Sequence, residues 1–257
     1  MDLPVNHFKR AIASGRTPVG TWLSSAAPST AEALGCAGFD FLVVDTEHTP
    51  IDVPQMTEIL RTIAGTPAQA IVRPPWNDIV MIKRALDAGA QTLLLPFVQD
   101  AAGARRAVAA ARYPPDGVRG VAGTHRGSRF GTVPNYLKSA ASELCVIVQI
   151  ETLGALSKLE EIAAVPGVDS IFVGPNDLAA SMGHLGDMGH EAVQAKVAFA
   201  AKECRRLGKP CGIVGQNPDI VARFLEYGYS WVAVSSDMGM MVSRAQEYIA
   251  GLRAAAR

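Results

Sequence analysis

The sequence has few cysteines, and nothing in their spacing indicates a disulfide framework or a zinc site. Cys36, Cys145, Cys204 and Cys211 stand far apart, and none belongs to a C-x-x-C pair. A chain of 257 residues buries a core large enough to fold without cross-links. We therefore expect reduced, mostly buried thiols and a cytoplasmic protein.

Long apolar runs and an excess of charge of one sign are also missing. No stretch approaches the about 18 uninterrupted apolar residues of a membrane span, and the first residues lack a signal-peptide core. Lys and Arg total 24, as do Asp and Glu, so the formal net charge is zero. We expect neither a nucleic-acid partner nor a membrane partner.

The pattern that is present alternates short apolar runs with Ala- and Leu-rich stretches of helical period. This alternation predicts βα units and a parallel sheet, and a glycine fingerprint of the G-x-G-x-x-G kind is absent after the first run. Eight units at this length favour an α/β fold of the (β/α)₈ TIM-barrel type, in one domain over residues 1–257. The predicted strands are residues 19–23, 39–44, 69–72, 92–95, 145–150, 170–173, 211–214 and 231–234.

Helices are predicted between and after these strands. Residues 113–143 break the rhythm with a long segment rich in Gly and Arg, and loops of this length are usually functional or disordered. Because it connects a helix to a strand, the segment must start at the amino end of the barrel, and we expect it to complete the active site of a neighbouring subunit. The predicted helices are residues 29–36, 53–64, 79–88, 101–112, 155–164, 191–207, 218–227 and a last one to about 253.

Polar residues collect where the predicted strands end, which is where barrel enzymes place their catalytic groups. Glu151 and Asp177 follow neighbouring strands, so the two carboxylates can share one hard cation and leave positions for water and substrate. The alternative is that each carboxylate caps the helix that follows it. The other residues at these ends are Asp45, Glu47, His48, Arg73, Gln149, Asn176 and Asp237.

His48 and Arg73 each have two interpretations from the residues alone. His48 is either a general base near neutral pH or a loop histidine. Arg73, stiffened by Pro74 and Pro75, either binds an oxyanion or forms a salt bridge with Asp45 or Glu47. No lysine lies within or at the end of a predicted strand, which disfavours Schiff-base chemistry and favours activation of a carbonyl by a metal ion.

The strand ends carry motifs in an order that resembles the HpcH/HpaI aldolase family, the metal-dependent aldolases that act with pyruvate. The similarity runs from about residue 20 to residue 237 and includes the long segment. The motifs are VVDTEHTP (43–50), VRPPWND (72–78), ALDAGAQTLLLP (85–96), QIET (149–152), GPNDLAASMG (174–183) and AVSSD (233–237).

The resemblance implies a role for each matching residue. It implies that His48 is the general base, that Asp87 pairs with this histidine, and that Arg73 stabilises the developing oxyanion. Glu151 and Asp177 match metal ligands for Mg²⁺ or Mn²⁺. Gln149 and Asn176 match substrate-contacting positions, as does Asp177.

The reaction implied by the resemblance is reversible aldol cleavage of 4-hydroxy-2-oxo acids, such as 4-hydroxy-2-oxoheptanedioate, to pyruvate and an aldehyde through a metal-stabilised pyruvate enolate. Alternatives are an aldolase of 2-dehydro-3-deoxy sugar acids, one that uses hydroxypyruvate, and a citrate-lyase-like enzyme that breaks a C–C bond. A barrel that only binds a small acid also remains open. The resemblance further implies a homohexamer, and Trp76 and Phe97 are candidates to shape the aldehyde pocket.

Overall fold

A computed structural model describes residues 1–256 of the protein. Eight parallel strands form a closed barrel in the order in which they occur along the chain, and this confirms the predicted (β/α)₈ architecture. Short apolar runs bounded by Gly, Pro and Asp form these strands, since residues buried on both faces need no polar alternation. The strands are β1 (Val19–Leu23), β2 (Phe41–Asp45), β3 (Gln69–Arg73), β4 (Thr92–Leu95), β5 (Cys145–Ile150), β6 (Ser170–Val173), β7 (Cys211–Gly215) and β8 (Trp231–Ser236).

Helices surround the barrel and run back from the carboxyl ends of the strands. Caps begin several of them: Asp78, Asp100 and Asn217 each accept a hydrogen bond from a backbone N–H in the first turn. The helices are α1 (His7–Ala13), α2 (Pro28–Cys36), α3 (Val53–Ile63), α4 (Ile79–Asp87), α5 (Ala101–Ala111), α6 (Tyr136–Ser139), α7 (Leu153–Leu156), α8 (Leu159–Ala163), α9 (Pro175–Ser181), α10 (Glu191–Arg206), α11 (Pro218–Tyr227) and α12 (Asp237–Ala255).

An aromatic cluster fills the amino end of the barrel. The ring of Phe8, on α1, lies 5.2 Å from that of Phe41 and 5.3 Å from that of Trp231, centroid to centroid, and both pairs are T-shaped. Phe172 lies 5.3 Å from Trp231 in the same cluster. Helix α1 therefore closes the amino end, so the opposite end, where the strands finish, is the open one.

The structure departs from the sequence-based expectation at several helices, two of which lie near the site. The helix predicted over residues 155–164 is two short helices, α7 and α8, and the hydroxyl of Ser157 donates to the carbonyl of Gly154 between them. Such a bond competes with the helical backbone pattern. Helix α9 was not predicted, and it places Asn176 and Asp177 in a first turn that begins at Pro175.

Helix α12 has 19 residues, and only Asp237 among them is buried. Its main contacts are with β1 and β8, beside its own first turn. Apolar side chains are exposed along its length, at Met238, Met241, Val242, Tyr248, Ile249 and Leu252. Over the described part of the chain, no helix combines the length and apolar character needed to cross a membrane.

Candidate active site

Arg73 and Asp45 form a buried ion pair at the carboxyl ends of β3 and β2. The two residues face each other in the register of these strands. Nε of Arg73 donates to Oδ1 of Asp45 at 2.9 Å, and Nη2 donates to Oδ2 at 2.8 Å. Nη1 lies 3.1 Å from Oε2 of Glu47. Both salt bridges considered from the sequence are therefore present, and they fix the guanidinium at the mouth of the barrel.

The face of this guanidinium packs on Trp22 of β1, with 4.3 Å from Cζ of Arg73 to the ring centroid. A cation over an aromatic face is attracted by the ring quadrupole. Arg73 is thus held by two carboxylates at its edge and by an indole at its face, an arrangement that a lysine could not reproduce.

Glu151 is the most buried carboxylate of the predicted metal pair, with 4% of the residue exposed. Its Oε1 accepts the backbone N–H of Phe97 at 2.7 Å, and its Oε2 accepts from Nε2 of Gln149 at 2.6 Å. Gln149 lies on β5 and Glu151 directly follows this strand; because the two residues are two apart in extended chain, they point to the same face. Oε1 of Gln149 is buried without a hydrogen-bond partner.

The pKa of Glu151 is raised to about 7, chiefly by burial; the negative charges of Asp177 and Glu47 add to this rise, and the hydrogen bonds from Phe97 and Gln149 oppose it. Burial also raises the pKa of Glu47, although Arg73 opposes this, and Asp45 and Asp177 add to it. The three side chains of Glu47, Glu151 and Asp177 thus form one acidic group. Asp177 and Asn176 are exposed in the first turn of α9.

These residues fit a hard divalent cation. Between residues 1 and 256 no three His, Cys, Asp or Glu side chains are arranged as a ready-made metal cluster. The site instead offers carboxylate oxygens from Glu151 and Asp177, and the buried Oε1 of Gln149, which has no hydrogen-bond partner. A cation that takes oxygen ligands and keeps positions for water and substrate suits such a set.

His48 lies at the same end of the barrel and is largely solvent-accessible, with its side chain 66% exposed. Its Nε2 is 3.8 Å from Oε2 of Glu47. The histidine is therefore accessible to a substrate in the mouth of the barrel. Glu47 was named from the sequence among the strand-end residues and as a possible partner of Arg73, but its place beside Glu151 and Asp177 was not predicted.

Asp87 lies elsewhere. It is the last residue of α4, and since this helix runs back along the barrel, its end lies near the amino ends of the strands. Its Oδ1 accepts from Nη2 of Arg119 at 2.7 Å and is 3.7 Å from Nε2 of His125. Within one chain the structure does not bring Asp87 and His48 together, so their pairing stays a prediction.

The long segment packs against the same end as Asp87. Its Arg126 donates to the carbonyl of Ala88, which directly follows α4, at 2.9 Å, and to that of Leu60, in the last turn of α3, at 3.2 Å. The segment starts at the amino end as expected, and its own chain's site lies at the opposite end. Its role in a neighbour's site stays a prediction.

Asp237, another candidate at a strand end, connects the end of β8 to the end of β1 through hydrogen bonds. Its carboxylate accepts from the N–H and hydroxyl of Ser24, at 2.9 and 2.8 Å, and from the N–H of Ser25 at 3.1 Å. Burial raises the pKa of Asp237, but the hydrogen bonds from Ser25 and Ser24 outweigh it and lower the pKa overall. These contacts give Asp237 a structural role.

A closed (β/α)₈ barrel that gathers a clamped arginine and an acidic group at the carboxyl ends of its strands has the layout of a barrel enzyme. Comparison with known proteins identifies the family. The sequence model of the HpcH/HpaI aldolase/citrate lyase family matches residues 18–244. The chain therefore belongs to this family, and it is a carbon–carbon lyase of the aldolase type.

Two curated relatives and one solved structure show how similar the chain is to other members. It is 51% identical to a 2-dehydro-3,6-dideoxy-6-sulfogluconate aldolase of Pseudomonas putida, over 92% of each chain. It is 47% identical to a 4-hydroxy-2-oxo-heptane-1,7-dioate aldolase of Klebsiella pneumoniae, over 94% of this chain and 91% of the relative. The crystal structure of a family protein from Burkholderia cenocepacia superposes with a TM-score of 0.94 at 38% identity, and covers 97% of this chain and 100% of that one.

Proposed function

We propose that the protein is a divalent-metal-dependent aldolase that reversibly cleaves 4-hydroxy-2-oxo acids to pyruvate and an aldehyde. The observation that carries the proposal is the acidic group of Glu47, Glu151 and Asp177 beside the fixed guanidinium of Arg73. The names of the relatives support it, since both are aldolases of 2-oxo or 2-dehydro acids. We also propose that the entire chain acts as one catalytic domain.

Glu151 and Asp177 would hold the cation, which we propose to be Mg²⁺ or Mn²⁺. When bound, such an ion supplies Lewis acidity to the oxo group of a 2-oxo acid. The nearby Gln149 contributes an amide whose oxygen is free, and Asn176 is exposed beside it, so both are placed to contact the substrate.

Arg73 supplies fixed positive charge to the substrate oxygen that becomes negative when the C3–C4 bond breaks. Because its contacts with Asp45 and Trp22 already hold the guanidinium, little reorganisation is needed during reaction. In cleavage, His48 accepts the proton of the C4 hydroxyl, the C3–C4 bond breaks to release an aldehyde, and C3 takes a proton from water to give the methyl group of pyruvate. In synthesis, the methyl group of pyruvate loses a proton to water, the C3–C4 bond forms as the electrons of the aldehyde C=O bond move to its oxygen, and protonated His48 gives its proton to that oxygen.

The predicted pairing of Asp87 with His48 requires two copies of the chain, because α4 places Asp87 at the amino end of its own barrel. A homohexamer, implied by the resemblance, would supply them. The exposed apolar side chains of α12 support association. We also propose a cytoplasmic location, in accord with four cysteines that are all unpaired.

The experiment that tests the proposal uses chelation with EDTA. Pyruvate release from 4-hydroxy-2-oxo acids should stop after the metal is removed, and it should return when Mg²⁺ or Mn²⁺ is added. Exchange of the pyruvate methyl protons in D₂O should follow the same pattern. Turnover that is unchanged by complete chelation would contradict the proposal.

A further inference from the structure

Two aromatic rings stand exposed beside the acidic group. Trp76, in the loop between β3 and α4, is 51% exposed, and Phe97, in the loop between β4 and α5, is 44% exposed. Their rings stack with centroids 5.3 Å apart and planes 29° apart. Large aromatic side chains usually contribute to a core or an interface, so a stacked pair left open to solvent is available to pack against a ligand.

The backbone ties this pair to the site. The N–H of Phe97 donates to Oε1 of Glu151, and the next N–H, that of Val98, donates to the carbonyl of Gln149 at 3.1 Å. Phe97 adopts a left-handed backbone with φ of 54°. For a residue with a side chain this conformation costs about 1–2 kcal/mol. The hydrogen bonds donated by the N–H groups of Phe97 and Val98 offset this cost. They direct the N–H of Phe97 towards Glu151 and leave the phenyl ring at the rim of the barrel.

Trp76 comes from the loop after the adjacent strand. It follows Arg73 by three positions, through Pro74 and Pro75, whose rings restrict the backbone. The stacked rings therefore belong to the loops that follow two neighbouring strands, β3, which ends at Arg73, and β4, which pairs with β5, the strand that Glu151 follows. The aromatic pair and the two charged groups thus lie at the same end of the barrel, on three consecutive strands and the loops after them.

We propose that Trp76 and Phe97 form the wall of the acceptor subsite, against which the carbon chain of the aldehyde packs. This rests on the proposed aldolase function and specifies its substrate class: aldehydes with an extended apolar or aryl carbon surface. Burial of each methylene against such a wall contributes about 0.8 kcal/mol. In the wild type, kcat/KM should therefore rise up to about fourfold for each methylene added to the aldehyde.

The test measures the aldol addition of pyruvate to acetaldehyde, propanal, butanal, pentanal and benzaldehyde. The variants are Trp76→Ala and Phe97→Gly, since glycine keeps the N–H to Glu151 and tolerates the positive φ. Phe199→Ala is the matched control, because Phe199 is an exposed aromatic side chain on the outer helix α10. Exchange of the pyruvate methyl protons in D₂O and light scattering are measured on every protein.

The expected result is a loss of chain-length dependence in both aromatic variants. Relative to the value for acetaldehyde, their kcat/KM for pentanal and benzaldehyde should fall about 10- to 100-fold. The control should keep the full dependence. An unchanged dependence in both variants would overturn the proposal.

Two other outcomes would also overturn it. An equal loss with every aldehyde, together with lost exchange, would mean that the rings only support Glu151. A smaller particle by light scattering with the same equal loss would mean that they form a contact between copies of the chain. Absence of exchange in the wild type would instead remove the proposed aldolase function itself, so the two failures are distinguishable.

Discussion

Asp45 and Arg73 are joined by two parallel hydrogen bonds, 2.9 and 2.8 Å long, at a buried position where their strands end. This geometry makes Asp45 a positioning residue for the guanidinium. The sequence placed Asp45 at a strand end but gave no means to decide whether Arg73 pairs with it or faces the substrate. The structure shows the pairing, and the role of Arg73 towards the substrate stays a prediction.

We expect Asp45→Asn to lower kcat/KM by about 10²–10³, the cost typical of a misplaced charge-stabilising donor. It should also lower the free energy of unfolding by about 3 kcal/mol, because a buried arginine loses its counter-charge. Steady-state kinetics and urea unfolding measure both effects. Arg73→Ala should lower turnover at least as much. Wild-type rates in both variants would contradict the roles given to this pair.

The pKa of Glu151, about 7, makes metal-free stability depend on pH. Because the pKa is raised above its ordinary value of 4.5, the folded protein holds this proton more tightly than the unfolded chain does. The stabilisation is therefore complete below about pH 4.5 and is lost as pH rises to about 7. The loss amounts to about 3 kcal/mol.

Comparison with Glu151→Gln isolates this contribution. The free energy of unfolding of the wild type, minus that of the variant, should fall by about 3 kcal/mol from pH 4.5 to pH 7.5 in the presence of EDTA. Urea unfolding at several pH values measures it. Asp100→Asn, a change at a half-buried helix cap, provides a comparison at a second carboxylate. A difference that is flat with pH would contradict the burial-driven shift at Glu151.

The proton on the carboxyl group of Glu151 should compete with a divalent cation for that group. Below pH 7 the affinity for Mg²⁺ or Mn²⁺ should fall about tenfold per pH unit, because the carboxyl of Glu151 must lose its proton to bind metal. Isothermal titration calorimetry in buffers of different ionisation enthalpy would show about one proton released at pH 6. Affinity that does not vary between pH 6 and pH 8 would show that Glu151 is not a ligand.

The strand ends were predictable because side chains two apart on a strand share a face, and this alternation alone places Gln149 and Glu151 together. The shift in the pKa of Glu151 was not predictable. It depends on burial and on Glu47, which lies three strands away around the barrel. Helix α1 was also missed, since its seven residues bury only Phe8 and Ile12 and leave a weak periodic signal.

The position of Asp87 illustrates a different limit. The predicted end of the helix near Gly89 already places Asp87 at the amino end of the barrel, yet the resemblance pairs it with His48 at the carboxyl end. Spacing along one chain cannot explain how Asp87 at the amino end of the barrel pairs with His48 at the carboxyl end, because this pairing requires contacts between copies of the chain. Arg119 offers a local reason for the position of Asp87, since its guanidinium is fully buried with Asp87 as its salt-bridge partner.

Hybrid oligomers test the pairing of Asp87 with His48. His48→Ala and Asp87→Asn should each be nearly inactive alone, whereas a co-expressed mixture should recover activity at about a quarter of its sites, because each site takes the two residues from different copies. Initial rates of purified hybrids measure this. No recovery in verified hybrids would show that the two residues do not act as a pair between copies.

Substitutions in helix α12 allow the predicted oligomer to be tested by measuring the mass of the particle. A 19-residue helix is about 28 Å long, and apolar side chains exposed along such a length are typical of an interaction surface. Met241→Glu combined with Ile249→Glu should therefore give a smaller particle by light scattering, with the barrel still folded by circular dichroism.

Ser243→Glu is the control, because it adds a charge to the same helix and removes no apolar surface. If the predicted pairing between copies is correct, the double variant should lose pyruvate release together with its size. A wild type that is already monomeric at micromolar concentration would contradict association through α12.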